Sequence, residues 1–154
     1  MNLHSEDIIF LGQDYARELA ALEEQCFAFP WSEKEFRLAL SRKNFLVLGL
    51  IRSRELLGYL SFYHVQDQVE ILNLAVHPQA RGRGRAGRLL SFLMDYCSRE
   101  KVSLVILEVR PSSRSAVGLY QRFGFQRAGR RPGYYPDTGE DALVYQLELV
   151  RKAT

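Results

Sequence analysis

The sequence predicts an α+β fold: one mixed, mostly antiparallel sheet flanked by about four helices, in a single domain over residues 1–154. Three observations predict it. Three apolar, β-branched runs follow one another over residues 44–76, joined by short polar turns, which is the pattern of an antiparallel meander. Two segments with helical spacing of apolar residues then bracket a short buried strand in the second half. Finally, 47% hydrophobic and 12% aromatic residues supply a core and exclude a disordered chain.

Each element has its own signal. IIFL reads as a short first strand. DYARELAALEEQCF places Tyr15, Leu19, Leu22 and Cys26 on one helical face. FPW breaks that helix. Ser32 and Glu35 then form a capping box, in which the hydroxyl accepts from a free backbone N–H and the carboxylate reaches back, so a second short helix runs to about Arg42. NFLVLGLI, LLGYLSFYHV and VEILNLAV are the meander strands, with RSRE and QDQ as turns. Ala86, Leu89, Leu90, Leu93 and Cys97 trace a third helix. LVILEV is a buried strand by composition. SSRSAVGLYQRFG is a fourth helix, with Ser112 or Ser113 as its cap and Gly124 as its stop. FQRAGRR and ALVYQLELV close the chain as strands around the loop PGYYPDTGED. The predicted order is β-α-α-β-β-β-α-β-α-β-β, helices packed on one sheet.

Composition narrows the function classes. No apolar run approaches the roughly 20 residues of a membrane span. The start, MNLHSEDIIF, lacks a basic region followed by a long apolar stretch, so no signal peptide is expected. Cys26 and Cys97 read as reduced core residues of a cytoplasmic protein, without a disulfide or metal site. The net charge is only +3, but basic residues crowd between positions 81 and 131. That suits either an anionic partner on one face or a solvated basic surface.

The stretch HPQARGRGRAGR, residues 77–88, decides more than charge does. Gly82-x-Gly84-x-x-Gly87 spells a dinucleotide-binding fingerprint that follows a strand and opens a helix. Glu108 lies 21 positions beyond Gly87, where a ribose-binding acid belongs. Against this, a Rossmann loop turns straight from strand into glycine, whereas His77-Pro78-Gln79-Ala80-Arg81 intervene here, and the preceding strands read as hairpins. Arginine–glycine runs also bind RNA phosphates, but this one is short and leads directly into an amphipathic helix. A pyrophosphate cradle at a helix N-terminus uses every feature. Glycines allow close backbone approach, N–H groups and the helix dipole attract the anion, and Arg81, Arg83, Arg85 and Arg88 extend the field. A tight turn alone would explain the glycines but not the arginines.

Arg81-Gly82-Arg83-Gly84-Arg85-Ala86, after LNLAVHP, resembles the coenzyme A loop of the GNAT acetyltransferases, Q/R-x-x-G-x-G/A. ILEVR and AVGLYQRFGF resemble the second half of that fold. FAFPWSEKEF, LEVRPSS and GYYPDTGEDA are similar to the RimI family, which acetylates protein N-termini, the alanine end of a small-subunit ribosomal protein being its eponymous substrate. The resemblance covers about Cys26 to Val150. It implies the GNAT acyl-CoA N-acyltransferase fold, acetyl-CoA as co-substrate without a metal, and a protein N-terminus, ribosomal by family, as acceptor. It implies no direct nucleic-acid or membrane partner, and a cytoplasmic enzyme.

Acetyl transfer to an α-amine needs a base, because an amine with a pKa of about 8 is mostly protonated at neutral pH. It also needs donors for the developing oxyanion and an acid for the departing thiolate. Glu108 is a charge in an apolar strand, expensive unless paired or wetted by a cleft, and burial there would raise its pKa and improve it as a base. A salt bridge to Arg110 or a neighbouring arginine is the alternative; the resemblance implies the base. Tyr120 shares a helical face toward the sheet with Ala116 and Phe123. Core packing is the common use of such a residue, and the resemblance implies the acid, near the coenzyme sulfur. For the coenzyme, the resemblance implies backbone contacts from Leu74, Ala75 and Val76 to the pantetheine arm, and Gly82, Arg83, Gly84, Arg85, Ala86 and Gly87 around the pyrophosphate. Many relatives have asparagine where this chain has Ser113, whose shorter side chain can lose that contact, bridge it through water, or leave it to the arginines.

Phe29, Pro30 and Trp31 are expected on one wall of the acceptor site and Tyr134 and Tyr135 on the other. Phe29 and Trp31 equally suit a staple between two helices and the sheet. Cys26 and Cys97, on predicted core faces, speak against a covalent enzyme intermediate. Two other functions stay open on the sequence: the same fold acting on a small-molecule amine or a lysine side chain, and a non-catalytic RNA- or ribosome-binding protein that uses the arginine face.

Overall fold

The computed structural model describes residues 5–149. Its strands are β1 (Glu6–Phe10), β2 (Phe45–Arg52), β3 (Glu55–Val65), β4 (Gln68–Val76), β5 (Leu104–Val109), β6 (Gln126–Arg131) and β7 (Ala142–Glu148). The helices are α1 (Ala16–Cys26), α2 (Glu33–Leu40), α3 (Arg85–Arg99) and α4 (Arg114–Arg122). The strands form one sheet in the order β1-β2-β3-β4-β5-β7-β6. Only β4 and β5 run parallel among its pairs. This is the predicted element order and the predicted mixed sheet, and it rules out the doubly wound parallel sheet that a Rossmann loop requires.

The meander is tight. Ser53 and Arg54 join β2 to β3 with φ of 50° and 67°, the mirror-image turn whose twist suits a two-residue hairpin. Strand β2 is apolar along its length instead of alternating, because both of its faces are covered. On one face α1 and α2 bury Leu19, Leu22, Phe36 and Ala39 against Phe45, Val47 and Tyr59. On the other, α3 and α4 bury Leu89, Leu90, Leu93, Leu119 and Tyr120 against Leu48, Leu60, Phe62 and Val105. The sheet thus lies between two apolar cores.

One irregularity positions the site. β4 pairs with β5 only from Gln68↔Leu104 to Ile71↔Leu107. On its other side β4 stays paired with β3 as far as Gly58↔Val76, with a register shift between Ser61 and Phe62 that leaves Leu72 as the extra residue. A bulge bends and twists its strand. Beyond Leu72, β4 parts from β5, and the free edge of β4 faces a cleft.

Candidate active site

The cleft holds two cavities. The larger, about 840 Å³, lies between the free edge of β4, the loop before α3, and α4. Leu74, Ala75 and Val76 line it, as do Gly82, Gly84, Arg85, Ala86 and Gly87. Gly84 is the N-cap of α3 with φ 74°, and Gly82 has φ 81°; a Cβ at either would meet no atom within 4 Å. Backbone handedness therefore demands these glycines, and the space in front of them is open. Gly87 lies inside the helix without positive φ, so the third glycine of the dinucleotide pattern has no such role. The N–H groups of the first turn of α3 and the dipole behind them make this end of the cavity an anion site.

The arginines are used differently from expectation. Arg85, only 8% exposed, gives Nε and Nη2 to both oxygens of Glu6 at 2.9 and 2.8 Å, and Nη1 to the Ala80 carbonyl at 2.9 Å. Arg88 donates to the same Glu6 at 2.9 Å. These two cations, Arg85 first, hold the Glu6 carboxyl below its ordinary pKa. Arg81 donates to the Val76 carbonyl at 2.9 Å and to Cys26 Sγ at 3.6 Å. Cys26 is thus not a plain core residue: it is half-buried at the cavity wall, with burial raising its thiol pKa, whereas Cys97 is fully buried. Arg83 does not line the cavity.

The smaller cavity, about 360 Å³, continues the cleft on the side of α1 and the loop after β6. Phe29, Trp31, Glu108, Tyr134 and Tyr135 line it; Pro30 does not. Phe29 is 65% exposed and Tyr134 50%. Trp31 combines both expected uses, since its ring also packs on Phe36 and Phe45 at centroid distances of 5.2 and 5.8 Å. The capping box of α2 fixes the end of this wall: Ser32 Oγ accepts from the Glu35 N–H at 3.1 Å, and the Ser32 N–H donates to Glu35 at 3.3 Å.

Glu108, 20% exposed, faces this cavity and is also paired. Its partner is Arg131 of β6, Nε to Oε1 at 2.6 Å, and not Arg110. The same carboxylate stands beside the Tyr134 hydroxyl and raises the tyrosine's own pKa. Arg110 instead pairs with Asp137 at 2.7 Å and lies 3.9 Å over the Tyr135 ring. Burial first pushes the Tyr135 hydroxyl up to about 12. The loop carrying the two tyrosines is thereby pinned to the end of β5.

Phe27, Leu74, Ser113, Ala116 and Tyr120 line both cavities, so the two spaces meet at this ring. Tyr120 is buried, and burial raises its pKa, keeping the phenol protonated. Its hydroxyl has no hydrogen-bond partner among the described residues, yet no buried side-chain oxygen there is unsatisfied. The Tyr120 oxygen therefore opens onto the cleft. Ser113 is the N-cap of α4 by position, but its side chain makes no capping bond.

Glu23 escaped the sequence reading. It is 1% exposed, lines the smaller cavity, and accepts from the Tyr59 hydroxyl and, at 3.3 Å, from the Trp31 N–H. Burial raises its pKa. Nothing in LEEQC separates Glu23 from Glu24 except a strict helical wheel, and its donors come from β3 and the FPW loop. Among the described residues no cluster of side chains is arranged to hold a metal ion. No described helix is long and apolar enough to cross a membrane.

A splayed pair of parallel strands, a glycine-led helix N-terminus at the splay, and a carboxylate on the adjoining strand define an acyl-CoA-dependent N-acyltransferase architecture. Residues 16–125 match the acetyltransferase (GNAT) family, and the chain belongs to it, in its RimI-type branch. The chain is 33% identical over 130 residues to the [ribosomal protein bS18]-alanine N-acetyltransferase of Escherichia coli K12, covering 83% of this chain and 87% of that one. It is 33% identical to the N-alpha-acetyltransferase RimI of Mycobacterium tuberculosis, covering 86% of each. The crystal structure of the ribosomal-protein-S18-alanine N-acetyltransferase from Escherichia coli superposes with a TM-score of 0.89 at 30% identity, over 97% of both chains. Arabidopsis thaliana NAA60 in complex with acetyl-CoA shares the fold at a TM-score of 0.85 and 20% identity, over 94% of this chain and 99% of that one.

Proposed function

We propose that this protein transfers acetyl from acetyl-CoA to the N-terminal α-amino group of a protein, the alanine end of a small-subunit ribosomal protein of the S18 class. The meeting of the two cavities at Tyr120 carries this reading: one side offers backbone N–H groups for a diphosphate, the other a carboxylate between exposed aromatics. The names of the relatives at 33% identity supply the acceptor class.

The cleft fits the co-substrate by its chemistry. Open space before Gly82 and Gly84 suits a diphosphate, and the free edge of β4 at Leu74–Val76 suits an amide-bearing arm laid along it as an added strand. Acetyl-CoA supplies an activated acetyl thioester when bound there. Glu108 takes a proton from the acceptor amine, directly or through one water. Arg131 holds its carboxylate in place for this, beside the Tyr134 hydroxyl. The Tyr120 hydroxyl, protonated and directed into the cleft, returns a proton to the departing sulfur. Phe29, Trp31, Tyr134 and Tyr135 flank the first residues of the acceptor.

The test is incubation with acetyl-CoA and an alanine-starting peptide. Stoichiometric release of coenzyme A and acetylation at the α-amine are expected. A matching peptide blocked at its amino terminus but carrying lysine should stay unmodified; its acetylation would move the acceptor to a side-chain amine.

A further inference from the structure

The larger cavity contains an electrostatic asymmetry that the glycine loop does not explain. Coenzyme A carries three phosphate groups, two in the diphosphate and one on the 3′ position of its ribose. Of the four loop arginines, Arg81, Arg85 and Arg88 are committed to protein acceptors, and Arg83 lies off the cavity. The loop therefore offers backbone N–H groups and one cation without a carboxylate partner, Arg81, held by the Val76 carbonyl and the Cys26 sulfur.

Two other cations do face the cavity. Arg114 and Arg122, at the two ends of α4, line its opposite wall, both exposed. Neither forms an ion pair among the described residues, and no carboxylate lines this cavity. Eight positions of helix separate their backbones by about 12 Å, too far for one small anion to touch both stems. The Arg122 side chain narrows that gap. It folds back along the helix until Nη1 lies 3.6 Å from where a Cβ of residue 118 would stand, and that residue is Gly118. The Arg122 guanidinium thus lies beside the second turn of α4, four positions from Arg114, and the planar fork of each arginine suits a phosphate dianion.

We infer that Arg114 and Arg122 form a second phosphate clamp, across the cavity from the α3 N-terminus, that holds the 3′-phosphate of the coenzyme. This rests on the acetyl-CoA reading above.

The test compares coenzyme A with 3′-dephospho-coenzyme A by calorimetry, using the full chain and the double variant R114Q/R122Q. The native protein is expected to bind coenzyme A at least about tenfold more tightly than the dephospho form. The double variant should bind the two within about twofold of each other, with its affinity for the dephospho form unchanged. Equal binding of both compounds by the native protein overturns the clamp, as does a preference that survives in the variant. An equal loss for both compounds in the variant also overturns it, because the arginines would then serve the diphosphate. Failure of the native protein to bind either compound refutes the acetyl-CoA reading itself. Both positions are exposed on α4, so an unchanged melting temperature verifies that the variant is folded.

Discussion

At Glu108 an ionisable group occupies the penultimate position of a buried strand, between Val109 and Leu107, which are both buried. That anomaly was visible in LVILEV itself, because a charge among β-branched residues demands a partner or a cleft. Its partner was not visible: Arg131 reaches it from a strand two places along the sheet, and only the β5-β7-β6 order brings them together. Replacing Glu108 with Gln keeps the shape and removes the base. kcat/KM for the peptide should fall by about 10²–10⁴-fold, with acetyl-CoA affinity retained, as steady-state kinetics and calorimetry would show. Tyr120→Phe should lower kcat by at least about tenfold with little change in either KM, because the lost hydroxyl acts on the leaving group only. Glu23 was hidden for the opposite reason. Its significance lies wholly in burial and in donors supplied from elsewhere in the fold, neither of which local spacing encodes.

Among the elements, the N-terminus of α3 was the most legible, since Gly82 and Gly84 are needed for positive φ and sit where a helix must begin. Gly84→Ala places a side chain in the left-handed region at a strain of roughly 1–2 kcal/mol. We expect a raised KM for acetyl-CoA and a lowered melting temperature, with acceptor KM unaffected. The loop arginines were misleading because Glu6, which engages Arg85 and Arg88, lies 79 positions before Arg85. This ion pair ties the edge strand β1 to the start of α3. Arg85 holds the Glu6 carboxyl below the ordinary glutamate value of 4.5, so the stability it contributes is present above that value and is lost as the pH falls through the lowered one. Glu6→Gln should therefore melt earlier than the native protein at neutral pH and converge on it in acid, by thermal scans over that range. The bulge at Leu72 was not read from the sequence, because an apolar residue between Ile71 and Asn73 does not by itself mark a bulge.

For the molecule as a whole, the periodicities sufficed for the element order, the four helices and the mixed sheet, because alternating turns and helical stripes are local signals. The splay of β4 from β5 and the joining of two cavities at Tyr120 are consequences of packing, and composition does not record them. Both cores must stay intact for that junction to exist. Leu90→Ala, at a fully buried position of α3, should destabilise the fold by about 2–5 kcal/mol in denaturant titrations. The most direct test is a side-by-side measurement of acetyl transfer from acetyl-CoA to an alanine-starting peptide by the native protein and by Glu108→Gln. Rapid α-amine acetylation by the native protein, and its near loss in the variant with coenzyme binding preserved, is the predicted result. Transfer by the variant at the native rate, or coenzyme A release by the native protein that is indifferent to the peptide, would contradict a junction of two cavities governed by Glu108.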